Sequence, residues 1–116
     1  MWVKINLNEN LPVGTVVQFD DTLSAWVSAP NIGTRMIGVL IEVAQQQDGE
    51  WIAPACFSGI CEARADRTIP ASGGSLHVLN GRIYVDETQD SCGIVAPLPR
   101  GQSVKEENDL VLISLH

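Results

Sequence analysis

Three cysteines and one internal histidine are residues of this sequence whose types could support thiol catalysis. They are Cys56, Cys61, Cys92 and His77. A thiol enzyme would need one of the cysteines as its nucleophile and His77 as the base that activates it. Nothing in the spacing brings such a pair together, and His77 lies inside an apolar strand pattern. We therefore expect His77 to face solvent and the protein not to be an enzyme, with a thiol or hydrolytic activity as the alternative.

The cysteine spacing also argues against a metal site. Zinc needs about four ligands, and the sequence has neither a CxxC nor an HxxxH pair. Cys56 and Cys61 are separated by an odd number of positions, which places them on opposite faces of a continuous strand. They could approach each other only if Ser58-Gly59 forms a turn or a bulge. We expect free thiols, no metal and no cofactor.

The three tryptophans could stack on sugar rings or anchor a protein contact. For Trp26 and Trp51 we expect packing in the core or at its rim. A carbohydrate-binding β-sandwich that uses Trp26 or Trp51 as its platform is the alternative. Trp2 has the opposite parity to the alternating apolar residues of Val3–Leu7, so it points away from the core if those residues face it.

Composition and charge exclude several classes of protein. With 116 residues, 45% of them hydrophobic and 18% charged, the chain has room for one domain with its own core. A net charge of −7 is unfavourable for binding nucleic acid or an anionic membrane surface. The sequence has no apolar run of about eighteen residues and no signal-peptide pattern at its start. These features predict a soluble intracellular product.

The elements that would position these residues are strands. Apolar residues recur with a period of two and are separated by turn residues. Asp48-Gly49 and Asn80-Gly81 are typical of type I′ hairpin turns. The run Met36–Ala44 is interpreted as one strand because of Gly38 and its β-branched residues. This pattern predicts an all-β fold, a small β-sandwich or barrel of about eight short strands.

Two short motifs suggest an internal repeat. Leu11–Gly14 returns as Ile69–Gly73, and Ile37–Leu40 returns as Cys92–Val95. We therefore predict a single β domain over residues 1–116; if the repeat is real, two similar units share its one core, since neither could bury its face alone. The boundaries of that division are residues 11–65 and 69–116 for the two halves and residues 1–10 for an N-terminal strand or arm.

Both ends of the chain have apolar strand patterns, which predicts self-association. Leu110–Leu115 alternates little, so both of its faces should be covered. Terminal strands also expose edges that must be paired or shielded. We therefore expect a homo-oligomer, in which a neighbouring protomer covers the second face of the last strand and pairs with the terminal edges. The candidate interface residues are Trp2, Val3, Ile5, Leu7, Leu112 and Leu115.

The sequence resembles the small capsid decoration proteins of tailed bacteriophages, also called cement or head-stabilising proteins. The resemblance covers about residues 11 to 65, and a weaker similarity extends over residues 69 to 96. It is carried by Val16–Phe19, Ala25–Val27, Ile37–Leu40 and Cys56–Gly59. Several relatives begin with a long arm rich in proline and glycine, whereas this chain starts with a strand pattern.

The resemblance implies a β-rich, non-enzymatic virion structural protein. Such a protein would form a trimer on the outer capsid surface, bind the major capsid protein and clamp neighbouring subunits together. Its location would be the virion, assembled in the host cytoplasm. From the net charge we expect no nucleic-acid and no membrane partner. A tail fibre or baseplate attachment protein is the alternative within the same class.

Overall fold

Eleven strands make up the described fold. The structure, a computed structural model, describes residues 2–31, 36–87, 93–98 and 104–115. Within these residues the chain forms strands and turns, and no helix there is long and apolar enough to cross a membrane. The strands are β1 (Trp2–Leu7), β2 (Val16–Asp20), β3 (Ala25–Ser28), β4 (Ile37–Leu40), β5 (Gln45–Gln47), β6 (Glu50–Cys56), β7 (Gly59–Arg64), β8 (Gly74–Leu79), β9 (Arg82–Val85), β10 (Gly93–Val95) and β11 (Leu110–Leu115).

The first six strands form a closed ring with one extension. β2 pairs antiparallel with β3 and β4, β4 pairs with the end of β6, and β6 pairs with β1. The ring is completed where Leu7 of β1 lies opposite Trp26 of β3 in parallel. β5 lies outside the ring and pairs with the start of β6. Closure gives β1 and β3 partners on edges that would otherwise be free.

The last five strands form a second ring. β7 pairs with β11, β11 with β10, β10 with β8, and β8 with β9, all antiparallel. A parallel bridge between Ala65, directly after β7, and Ile83 of β9 completes this ring. The first and last strands, β1 and β11, are therefore each paired on both sides.

The two rings have the same strand order and the same strand directions. β1, β2, β3, β4 and β6 correspond to β7, β8, β9, β10 and β11, and one parallel contact completes each ring. The turns before β2 and β8 match as well: the Thr15 N–H donates to the Pro12 carbonyl at 3.2 Å, and the Gly73 N–H donates to the Pro70 carbonyl at 3.0 Å. The first recurring sequence motif occupies these turns, and the second lies on β4 and, over Gly93–Val95, on β10. The rings divide between β6 and β7, so β1 is a ring strand, and duplication as their origin stays a prediction.

One hydrophobic cluster joins the two rings. The first ring encloses a small cluster that includes Val17. Val16 and Val39, on β2 and β4, belong instead to a larger cluster with Leu76 and Ile113 of the second ring. Because successive residues of a strand point to opposite faces, β2 contributes to both clusters. The outer face of the first ring thus packs on the core of the second.

Backbone hydrogen bonds connect the β8–β9 turn to the first ring. Asn80 and Gly81 have φ angles of 49° and 80°, the type I′ geometry that their sequence predicts. The Asn80 N–H donates to the Pro30 carbonyl at 3.0 Å, and the Gly81 N–H donates to the Ala29 carbonyl at 2.7 Å. The Gly81 carbonyl accepts from the Val16 N–H at 2.8 Å. The turn therefore belongs to the junction between the rings.

Arg64 makes a second connection at the junction. Its Nε and Nη2 atoms donate to the Val13 carbonyl at 3.1 and 2.8 Å, and Nη1 donates to the Asn108 carbonyl at 2.8 Å. Its backbone N–H donates to the Gly14 carbonyl at 2.8 Å. Hydrogen bonds from a charged donor are stronger than neutral ones, so Arg64 holds β7 against the turn that precedes β2.

The all-β prediction is confirmed, with differences in the individual strands. The pattern missed β7 and interpreted the region of β5 as a turn, so there are more strands than the eight or so expected. The run Met36–Ala44 is a strand only over Ile37–Leu40, because the exposed Glu42 and Val43 leave the sheet before β5. The Asp48-Gly49 hairpin turn is confirmed, with φ angles of 51° and 83°.

Candidate functional site

The two rings meet at an open cavity of about 480 Å³, which we call the junction groove. Trp2 of β1 lies on one side, and Ile60 of β7 and Leu112 of β11 lie on the other. Glu62 supplies the charged side chain of the lining. The remaining lining residues are Val13, Ile41, Cys56, Cys61 and Leu110. An apolar lining of this kind favours an apolar or amphipathic binding partner.

The apolar surface of the groove continues onto the outside of the second ring. Ser114 is paired with Ile60 on one side and with Ile94 on the other, so the two isoleucines flank it. Leu112 lies two residues earlier in β11 and therefore on the same outer face. The exposed fractions of Trp2, Ile60, Ile94 and Leu112 are 60%, 71%, 55% and 49%. We call these four residues the apolar face.

The apolar face is comparable in size with the largest apolar patch on a typical monomeric protein. Four large side chains exposed to this extent present on the order of 400 Å² of apolar area, the range in which a patch on a monomer is often functional. Single exposed apolar residues are ordinary, but here the residues are neighbours across three strands and a groove. The arrangement is suited to binding another protein surface.

The structure divides the interface residues predicted from the sequence. Trp2, Val3 and Leu112 are exposed, and Trp2 and Leu112 line the same groove. The other three, with exposed fractions of 8%, 4% and 5%, lie in the hydrophobic clusters of the chain itself and cannot contact a second protomer without unfolding; they are Ile5, Leu7 and Leu115. These three inward-facing residues are therefore removed from the predicted interface.

The expectation that the terminal strands have free edges is also wrong. β1 lies between β3 and β6, and β11 lies between β7 and β10. Their covered faces come from ring closure and from packing between the rings within one chain. Any association through this part of the molecule must use side chains on the outer faces, not strand addition.

Two residues of the apolar face were missed from the sequence. Ile60 lies in β7, where the inward-facing Cys61 and Ala63 are too small to make the alternation conspicuous. Ile94 lies between the buried Gly93 and Val95 in a strand of three residues. In both places a large apolar residue with the opposite parity to its buried neighbours was the available signal.

Cys56 and Cys61 lie together at the floor of the junction groove. β6 ends at Cys56, and the chain changes direction before β7 at Gly59, whose φ is +88°. The Cys56 Sγ donates a hydrogen bond to the Ser58 carbonyl at 3.1 Å. Burial and the neighbouring Cys56 thiol raise the pKa of Cys61 to about 12. Both thiols are free, as predicted, and the turn required for their approach is present.

Trp26 and Trp51 are partly buried against the cluster inside the first ring, as expected. The Trp26 ring lies 5.7 Å from Phe19 and 5.0 Å from Phe57, measured between ring centres. These contacts occupy ring surface of Trp26 that a sugar-stacking platform would need, so the geometry does not favour Trp26 as such a platform.

The prediction that His77 faces solvent is wrong. Its exposed fraction is 2%, because the ring stacks on Tyr84 at a centroid distance of 5.5 Å. Arg67 covers the Tyr84 ring in turn. The His77 Nε2–H donates to the Asp86 carbonyl at 2.7 Å. His77 is a packed histidine in the second ring and is not among the residues that line the junction groove.

Among the described residues, no group of three or more histidine, cysteine or acidic side chains is arranged to hold a metal ion. Cys92 and the C-terminal His116 lie outside the described residues. The chain matches no protein-family model, no curated protein and no solved structure.

Proposed function

We propose that this chain is a non-enzymatic structural protein that attaches to other protein surfaces, and specifically a capsid decoration protein of a tailed bacteriophage. The observation that carries the proposal is the apolar face beside the junction groove. Removing about 400 Å² of apolar area from water is worth roughly 10 kcal/mol before the costs of association are subtracted. The resemblance to decoration proteins supplies the class of partner, the major capsid protein.

The attachment stabilises its target by mass action. A protein that binds the assembled lattice but not the separated subunits adds about 2.7 kcal/mol per site when its free concentration is 100 times its Kd. No catalytic group is needed for this effect. The acidic charge of the chain does not oppose the role, because the lattice presents protein rather than phosphate at its outer surface.

Self-association is part of the same proposal, with a trimer as the expected state. The apolar face supplies roughly half of the ~800 Å² that each partner buries in a standard interface. Trp2 is the anchor of that contact, because large aromatic side chains at the centre of an interface contribute most to binding. The polar side chains around the face would form the rim.

The self-association test compares three proteins by sedimentation velocity at micromolar concentration. The unmodified chain is expected to sediment as a trimer, and Leu112→Asp as a monomer, because a buried carboxylate without a partner is costly. Leu23→Asp is the matched control: Leu23 has a similar exposed fraction, 55%, and does not line the groove. A monomeric unmodified chain, or equal effects of the two substitutions, would count against the apolar face as the interface.

The lattice test uses the neighbouring genes and the proteins they encode. We expect these genes to encode a major capsid protein and a head protease. The purified chain should then co-sediment with assembled shells of that capsid protein and not with its free subunits. Because Leu112→Asp is also expected to break the trimer, shell binding that is unchanged by this substitution would show that attachment depends neither on the trimer nor on the apolar face. Electron microscopy of whole particles separates a position on the head from one on the tail fibre or baseplate.

A further inference from the structure

The two thiols at the floor of the junction groove form a pair that the proposed function does not use. Cys56 and Cys61 belong to the same hydrophobic cluster and line the same cavity. The two thiols lie near enough that, besides burial, Cys56 contributes to the raised pKa of Cys61, and the Cys56 Sγ donates to the Ser58 carbonyl at 3.1 Å. The turn at Gly59 reverses the chain between the two cysteines, so both side chains line the same cavity. Proximity of this kind is what a disulfide requires, since distant or divergent cysteines cannot form one.

We propose that Cys56 and Cys61 are an oxidisable dithiol site, which hydrogen peroxide converts into an intramolecular disulfide across the floor of the junction groove. Trp2, Ile60 and Leu112 belong both to the apolar face and to the lining of the groove, so a partner bound to that face would slow the oxidation. Both thiols have small exposed fractions, 7% and 8%, and reach solvent through the groove. A small oxidant such as peroxide therefore fits this position better than a bulky disulfide.

The reaction takes two steps that balance in atoms and electrons. In the first, the Cys56 sulfur attacks one peroxide oxygen, the O–O bond breaks, and a sulfenic acid and one water are formed. In the second, the Cys61 sulfur attacks the sulfenic sulfur, the S–O bond breaks, and a second water leaves with the Cys61 proton. The two thiols lose two electrons and two protons, and the peroxide is reduced to two waters.

The surroundings assign different roles to the two thiols. Burial raises the pKa of Cys61, which keeps it protonated at neutral pH and slows its own attack on peroxide. Cys56 ends its strand directly opposite Trp2, an exposed residue at the margin of the groove. Cys56 is therefore the thiol that reacts first, and Cys61 is the resolving thiol. The new bond would tie the end of the first ring to the first strand of the second.

The test uses the unmodified chain. Trypsin cuts after Arg35 and Arg64, so one peptide, residues 36–64, contains both thiols, while Cys92 falls in a different peptide. After treatment with peroxide and alkylation in denaturant, this peptide is expected to lack two hydrogens and to carry no alkyl group until it is reduced with dithiothreitol. Peptide 36–64 with two alkyl groups, or joined to another peptide, would overturn the proposal.

Two variants test the assigned order of reaction. In Cys61→Ser the sulfenic acid at Cys56 has no resolving thiol, and we expect it to be trapped by dimedone. In Cys56→Ser, oxidation of Cys61 is expected to be at least tenfold slower than oxidation of Cys56 in Cys61→Ser, because Cys61 stays protonated. Equal rates in the two variants, or dimedone adducts on Cys61 alone, would contradict this order. Circular dichroism of each variant verifies that its sheets are intact.

Discussion

Replacing Gly81 with alanine is expected to lower the free energy of unfolding by about 3 kcal/mol. Gly81 has a φ of +80°, a conformation that costs an L-residue roughly 1–2 kcal/mol. A Cβ atom added there would overlap the Ser28 hydroxyl and would lie 3.0 Å from the Thr15 Cγ2. To relieve this contact the turn must move away from the first ring, which weakens the two backbone hydrogen bonds that Gly81 makes across the junction.

Gly49 offers the matched control for this substitution. It has nearly the same φ, +83°, in the other type I′ turn, but an added Cβ there would meet no atom within 4 Å. Gly49→Ala should therefore cost only the backbone strain, about 1 kcal/mol. Urea unfolding of both variants measures the difference. Adding Ser28→Ala to Gly81→Ala should recover part of the loss, and equal losses in the two glycine variants would argue against the close approach at the junction.

Local features of the fold could be predicted from the sequence because their causes are local. Alternation of apolar residues located most of the strands, and the Asp-Gly and Asn-Gly pairs located two hairpin turns. β7 was missed for an equally local reason. Its inward-facing positions are Cys61 and Ala63, small residues that suffice because the first ring packs against them. A strand whose buried side is made of small residues leaves little periodic signal.

Ring closure could not be predicted, because it depends on contacts between distant residues. The parallel contact of Leu7 with Trp26, and that of Ala65 with Ile83, are each made by few residues. Nothing in the strands themselves specifies these contacts. Without the first contact β1 would be a free edge, and β11 looked like a free edge because its partner β7 was missed from the sequence. The inference of strand pairing between protomers follows from these two omissions. The same logic misplaced Ile5, Leu7 and Leu115, whose apolar character serves the clusters of their own chain.

The alternation of side chains along β1 correctly predicted that Trp2 points away from the core, whereas the argument from free strand edges was wrong. Opposite faces of a strand follow from backbone geometry alone, so an exposed Trp2 could be expected whatever the topology. Its neighbours on the apolar face come from β7, β10 and β11, which the fold brings together. The exposure of Trp2 could thus be predicted from the sequence, whereas the apolar face around it required the structure.

The most destabilising core substitution is expected on β11, where one residue is buried and the next is exposed. Ile113 is 1% exposed and lies in the cluster that joins the rings, whereas Leu112 points outward on the apolar face. Ile113→Ala should lower the free energy of unfolding by about 3–4 kcal/mol, through lost burial and the cavity left behind. Leu112→Ala should cost less than about 1 kcal/mol in dilute solution, where its effect is on association.

The tryptophans test whether the rings unfold as one unit. All three, Trp2, Trp26 and Trp51, lie in the first ring, whereas the one tyrosine, Tyr84, lies in the second. Because Val16 and Val39 pack in the same cluster as Ile113, damage to the second ring should destabilise the first. In Ile113→Ala, the denaturant midpoint of tryptophan fluorescence should therefore fall together with that of tyrosine absorbance. A tryptophan midpoint that stays at its original value while the tyrosine signal shifts would mean that the rings are energetically separate.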